Sequence, residues 1–330
     1  MPSDVIEIDE HCLSGKGYPP HAFRLTQKFR EYALFMQKCL IPYDKECIMS
    51  DDDEMSTAMA LVVASGRMCP KGELEIRSEA AKGSPEDILE LGIRHYTGQG
   101  GPPQNPRVGL EQWLYLIDVE RGGRLATPPN RRILSQAHSC IAWYYIEKVH
   151  RNSRKPKMGD LTRAAEAANA AAHLGYFTPA VIATAEYIDE AVEKESGKQY
   201  WEVSPFDTMK DLRCVYERQQ RELEAGEEPN VQRCAWPECW LEGTKDAPLM
   251  KCNGKCTEPY KPRYCSRECQ KQDWKRHKPK CKPGPPTPSA SEDGSEEEEE
   301  EQAAGPSSRA LTKPIISGLP VHTSSTTMSP

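Results

Sequence analysis

Between Cys234 and Cys281 the sequence places eight potential metal ligands: Cys234, Cys239, Cys252, Cys256, Cys265, Cys269, His277 and Cys281. Their spacing is C-x4-C-x12-C-x3-C-x8-C-x3-C-x7-H-x3-C, which makes four close pairs. A zinc ion takes four thiolate or imidazole ligands as a tetrahedron, so eight ligands imply two zinc ions in two closed structural sites. A closed site has no open position for water, which argues against metal catalysis. The segment is too short to bury a core of its own. Metal binding must therefore supply most of its folding free energy, on the order of 10–16 kcal/mol per structural zinc. The chain holds thirteen cysteines. Seven are ligands on this reading, and Cys12, Cys39, Cys47, Cys69, Cys140 and Cys214 are expected to be scattered core residues rather than a disulfide framework.

The residues between the ligands are as informative as the ligands. Arg263-Tyr264-Cys265-Ser266-Arg267-Glu268-Cys269-Gln270, followed by Asp273-Trp274, His277-Lys278 and Cys281, resembles the second half of a MYND-type zinc finger. The first half departs from the family, with C-x4-C at Cys234 and Cys239 and C-x3-C at Cys252 and Cys256 where C-x-x-C is usual. One or two inserted residues widen such a turn without losing a ligand. The resemblance implies an interleaved ligand set, Cys234, Cys239, Cys265 and Cys269 on one zinc and Cys252, Cys256, His277 and Cys281 on the other. It also implies that Gln270 and Trp274, with Ser266 beside them, help form a shallow groove that accepts proline-rich peptides of partner proteins. The other role open to Trp274 is an aromatic lid over the zinc knuckles, and an indole can do both with its two faces. A short helix is expected from Cys265 to His277, with Cys265 and Cys269 on one face and Gln270 and Trp274 on the next.

Ahead of the finger, residues 21–226 are expected to be mainly α, after an N-terminal loop at 1–20. Apolar residues recur near a 3.6 period from His21 to Leu40, through Phe23, Leu25, Phe29, Tyr32, Ala33 and Met36. Helices then follow as pairs: Met55–Ser65 with Glu73–Lys82, Pro85–Tyr96 with Pro106–Glu120, and Arg131–His150 with Asp160–Leu174. Pro179–Glu195 adds another helix, and Ser204-Pro205 starts a last one that runs to about Glu224. Ser84-Pro85 and Ser204-Pro205 have the form of a cap followed by a first turn. Gly83, Gly122 and Gly175 follow alanine-rich or charged helix ends, where glycine caps in the left-handed conformation. The segment 84–120 carries Leu91-Gly92, Tyr96, Gly98-Gln99-Gly100, Asn105, Gly109-Leu110 and Trp113. It resembles one unit of the Sel-one-like subfamily of tetratricopeptide-type repeats, with Gly109 where the family usually has Ala. The resemblance implies a solenoid-like body with a concave protein-binding surface. A non-repetitive helical bundle is the other reading. Gly98-x-Gly100 lacks the third glycine and the Lys-Ser/Thr of a phosphate loop and is read as a turn.

The net charge of −7 is unevenly spread: residues 1–233 carry −7, residues 234–282 carry +6 and residues 283–330 carry −6. The last segment opens Pro283-Gly284-Pro285-Pro286, includes six consecutive glutamates from Glu296 to Glu301, and is expected to be a disordered acidic tail. With seven thiolates and two zinc ions counted, the finger falls to about +3, modest for phosphate binding, so nucleic acid is not an expected partner. No apolar run is long enough to span a membrane, and the acidic start lacks the apolar run of a secretory signal. The chain is expected to be intracellular, cytoplasmic or nuclear, with Arg154-Lys155-Pro156-Lys157 and Lys275-Arg276-His277-Lys278 as weak import signals. The functional expectation is a zinc-binding, non-enzymatic adaptor whose partners are proteins. A lysine methyltransferase of the SET type is the rival, because some MYND fingers sit inside SET domains. Ala137-His138-Ser139-Cys140 faintly resembles one SET motif, but the Asn that should precede the His is Ala137.

Overall fold

The computed structural model describes residues 27–41, 71–100, 103–118, 125–151, 157–225, 232–237, 239–256 and 261–281. The chain divides into two units, Met1–Gly284 and Pro285–Pro330. The expected N-terminal loop, residues 21–26 of the first expected helix, the expected helix Met55–Ser65, Gly122 and the whole of 283–330 lie outside the described residues. Within the first unit the described elements are α1 (Gln27–Leu40), α2 (Glu73–Ala81), α3 (Pro85–Thr97), α4 (Pro106–Ile117), α5 (Arg131–Arg151), α6 (Met158–His173), α7 (Pro179–Ser196) and α8 (Lys210–Ala225). The finger follows, with β1 (Met250–Lys251), β2 (Arg263–Tyr264) and α9 (Arg267–His277). No helix among the described residues is long and apolar enough to cross a membrane.

Local chemistry sets the helix ends. α3, α4 and α7 each begin with proline, and the side chain just before it accepts from a backbone N–H of the first turn. Ser84 accepts from Asp87, Asn105 from Val108 and Thr178 from Val181. At the other end, Gly83 and Gly175 take positive φ, 88° and 79°. Each closes the same pair of bonds: Ser84 N to Glu79 O and Gly83 N to Ala80 O, then Tyr176 N to Ala171 O and Gly175 N to Ala172 O. This is the Schellman arrangement, which satisfies carbonyls that a helix end would leave unpaired.

Two expected boundaries need correction. The helix from Pro106 ends at Ile117 rather than Glu120, because Asp118 turns extended (φ −84°, ψ 96°). The last body helix starts at Lys210, not at Ser204-Pro205, and Pro205 instead precedes a single 3-10 turn at Phe206–Thr208. The cap of α8 comes from another element: Asn169 Oδ1 on α6 accepts from Asp211 N and Leu212 N, both at 3.0 Å. A distant side chain thus replaces the local cap that the Ser-Pro pair suggests.

Packing follows chain order. Each helix from α2 to α7 lies against its successor, while α1 reaches across to α3, α5 and α7. One apolar core runs from Tyr32 to Val215. α3 and α4 approach closely because two glycines permit it. A Cβ on Gly109 would sit 2.7 Å from Gly92 O, and one on Gly92 would strike the Trp113 indole. Trp113 is fully buried, stacks on Phe35 at 5.6 Å, and donates from Nε1 to Leu89 O at 3.3 Å. Alanines 164, 165, 168, 171 and 172 do the same for α6, whose buried face is almost all methyl groups. His138 lies inside α5; its Nδ1 is buried with no hydrogen-bond partner among the described residues, and burial holds its pKa down to about 4.

The finger is packed onto this body. Glu242 N donates to Gly175 O at 2.9 Å, and Arg131 donates to Leu174 O at 2.7 Å and to Glu242 O at 2.9 Å. The buried Glu242 carboxylate takes Arg218 of α8 at 2.6 Å and Arg233 at 3.2 Å. Arg132 lies over the Trp236 ring at 5.2 Å. Tyr176, at the end of α6, is fully buried among the cysteines and Leu241 of the finger. Its hydroxyl donates to Leu40 O and accepts from Gln136 at 3.0 Å.

Candidate metal centre

A few backbone bonds of the finger place its ligands. Cys239 N donates to Trp236 O (3.0 Å), closing the first turn, and Cys234 N donates to Leu241 O (2.8 Å). β1 and β2 pair antiparallel, Met250 with Tyr264 and Lys251 with Arg263. This pairing and the bond from Cys252 N to Pro262 O (2.9 Å) set Cys252 and Cys265 at the ends of a short ribbon. α9 then carries Cys269 in its first turn and His277 in its last. The helix starts at Arg267, two residues later than expected. Cys265 precedes it, and Ser266 is its cap, the Oγ accepting from Cys269 N at 3.2 Å.

The ligands gather into two groups, Cys234, Cys239, Cys265 and Cys269 in one and Cys252, Cys256, His277 and Cys281 in the other. Within each group all ligand atoms lie within 4.8 Å of one another. Close pairs are Cys239–Cys265 and Cys265–Cys269 at 3.3 Å, Cys252 Sγ–His277 Nε2 at 3.3 Å and Cys256–Cys281 at 3.6 Å. A disulfide needs about 2.05 Å, so these sulfurs are not bonded to each other. Zinc–sulfur bonds of about 2.3 Å make a tetrahedron whose edges are about 3.8 Å, and both groups suit a zinc ion at their centre. The thiol chemistry agrees. Hydrogen bonds from Cys239, Cys265 and Cys269 hold Cys234 well below the usual thiol range, while Cys239 and Cys265 are pushed well above it by their bonds to Cys234. Burial raises Cys256 to about 11. Crowded thiols cannot all ionise on their own charge, and a divalent ion in each group removes that conflict. The two groups fit two zinc ions.

Around the ligands lies a supporting shell. Asp273 is buried, accepts from Tyr264 Oη at 2.8 Å, and pairs with Arg276 at 2.7 Å. Arg276 also donates to Ala235 O, tying α9 to the first turn. Gly254 N donates to Cys252 Sγ at 3.3 Å, and a Cβ on Gly254 would collide with Cys281 Sγ. Arg131, a body residue bonded to Glu242 O of the finger, is coupled electrostatically to the four-cysteine group. Its burial draws its pKa down, and the sulfurs of Cys265, Cys239 and Cys234 oppose that.

The residues expected to meet a peptide have distinct settings. Trp274 is 41% exposed, its ring edge-on to His277 at 6.0 Å. Gln270, one turn earlier, donates to Cys252 Sγ at 3.7 Å, so it also touches the second ligand group. Ser266 is engaged as the helix cap. Sequence reasoning placed Asp273 in the motif without giving it a role, and missed Gly254, Arg131 and Trp240. The last follows Cys239 with φ 61° and 42% exposure, an uncommon conformation for a bulky residue. For Asp273 the i, i+3 spacing to Arg276 is a visible signal; for Arg131 there is none.

No curated protein and no solved structure matches the chain. Residues 233–281 match the family model of the MYND finger, so this segment is a zinc finger of that type, a zinc-binding module of protein–protein interaction.

Proposed function

We propose that this protein is a non-enzymatic adaptor, acting in the cytoplasm or the nucleus, that binds one partner through its finger and another through its helical body. On this reading the finger groove at Gln270 and Trp274 accepts proline-rich peptides. The body is a Sel-one-like stack that offers a second surface. The observation that carries the reading is Trp274, a large aromatic left 41% exposed on α9, one turn after Gln270. Exposed indole beside an amide donor suits proline, which offers a flat apolar ring and a carbonyl acceptor.

The test is a binding titration of the full-length, zinc-loaded chain against a panel of proline-rich peptides, wild type beside Trp274→Ala. The expected result is saturable binding that weakens by about tenfold or more in the variant, as truncation of an aromatic anchor does. Zinc content should not change. Equal binding by both proteins would remove the groove from the proposal.

A further inference from the structure

We propose that His173, Asp211 and Asp246 form a third zinc site, built of nitrogen and oxygen donors, that clamps the finger to the helical body. The three residues come from three separate elements. His173 is the last residue of α6, Asp211 lies in the first turn of α8, and Asp246 is on the finger's loop before β1. Their ligand atoms nevertheless lie within 4.8 Å of one another. His173 Nδ1 and Asp211 Oδ2 are 3.2 Å apart. Two ligands each about 2.0–2.1 Å from a tetrahedral zinc are separated by about that much.

Each ligand is positioned by bonds that owe nothing to a metal. Asn169 holds the backbone of Asp211. Thr244 donates from Oγ1 to His173 O at 3.1 Å, which draws the finger loop onto the end of α6. The turn that carries Asp246 is closed by Thr244 N to Ala247 O at 3.2 Å and Ala247 N to Thr244 Oγ1 at 3.0 Å. Two carboxylates brought this close repel each other, and a divalent cation is the partner that would reverse the sign. One imidazole nitrogen and two carboxylate oxygens are ordinary zinc donors, and three protein ligands leave a fourth position open. The site is more open than the two cysteine groups: His173 and Asp246 are exposed and Asp211 half-buried. It has room for water as a fourth ligand and would exchange its ion readily. This assignment is independent of the peptide groove, and neither depends on the other's test.

The test uses the full-length chain holding two zinc ions. Free zinc is raised in a buffered series, and bound metal is measured by elemental analysis. A third, saturable zinc is expected above the range that fills the cysteine groups. Asp246→Asn and His173→Gln should each weaken it about tenfold or more while both tight ions remain. Cobalt added to the two-zinc protein provides the second readout. Weak visible bands without thiolate-to-metal charge transfer are expected, and both variants should lose them. Absence of a third saturable ion, equal third-ion binding in the variants, or thiolate charge transfer from the added cobalt would each overturn the proposal.

Discussion

Gly254 sits where the second zinc group closes on the backbone, between Cys252 and Cys256. A methyl group there would run into Cys281 Sγ and come within 3.3 Å of Cys252 Sγ. The substitution Gly254→Ala should therefore spare the four-cysteine group and weaken the other by about tenfold or more, the range seen when a metal site's supporting shell is disturbed. Zinc release to a chelating dye, one fast ion and one slow, would show it; two slow ions would mean the loop absorbs the methyl. This residue also marks the limit of what single positions disclose in a sequence. Cysteine and histidine declare themselves by type and spacing, so all eight ligands are legible from the chain. The interleaved grouping followed from resemblance, and the geometry reproduces it. Gly254, Asp273 and Arg131 act through what faces them. A glycine under a sulfur and a guanidinium from more than 100 residues upstream look like any other glycine and arginine until the chain is folded, and Asp273 shows in advance its spacing to Arg276 but not the tyrosine above it.

Helix ends show the same division at the scale of elements. Starts with Ser, Asn or Thr before Pro, and stops at Gly83 and Gly175, use bonds within four or five residues and can be read directly. The start of α8 cannot, because its cap is Asn169 on α6. Gly175 belongs to both kinds. Its positive φ ends α6, and its bare Cα also lets Glu242 O approach so closely that any Cβ would collide. Gly197 offers the control: φ is 66°, yet nothing lies within 4 Å of a Cβ built there. Gly197→Ala should cost only the left-handed strain, about 1–2 kcal/mol. Gly175→Ala adds the loss of the bonds from Glu242 N to Gly175 O and from Arg131 to Glu242 O, about 1 kcal/mol each. Urea unfolding of the zinc-loaded chain should thus place Gly175→Ala about 2 kcal/mol below Gly197→Ala. Equal losses would reduce Gly175 to a helix stop.

For the whole molecule, these contacts make the finger part of the body's structure rather than a bead on a linker. Inside the body, Gly83 O at the end of α2 accepts from Ala126 N at 2.9 Å, ahead of α5. Gly175 O at the end of α6 accepts from Glu242 N of the finger at the same distance. The finger therefore occupies at one Schellman turn the place that body chain occupies at the other. Arg131 joins Leu174 O to Glu242 O and feels the charge of the four-cysteine group, and Arg218 is paired with the buried Glu242. The folded finger needs its metal, so zinc should stabilise helices that hold none. Stripping both ions should leave the helical circular dichroism at room temperature largely intact. The seam bonds, at about 1 kcal/mol each with more for those to charged groups, together contribute about 2–4 kcal/mol. In a body of this size that corresponds to a fall in Tm of about 5–10 °C. The two groups should differ. Cys265→Ser, in the group beside Arg131, should lower the body's Tm by most of that amount. Cys281→Ser, in the group that no body residue is seen to approach among the described residues, should lower it less. If chelation leaves the helical Tm unmoved, or if the two cysteine variants are equal, the finger and the body fold independently and the seam is contact without coupling.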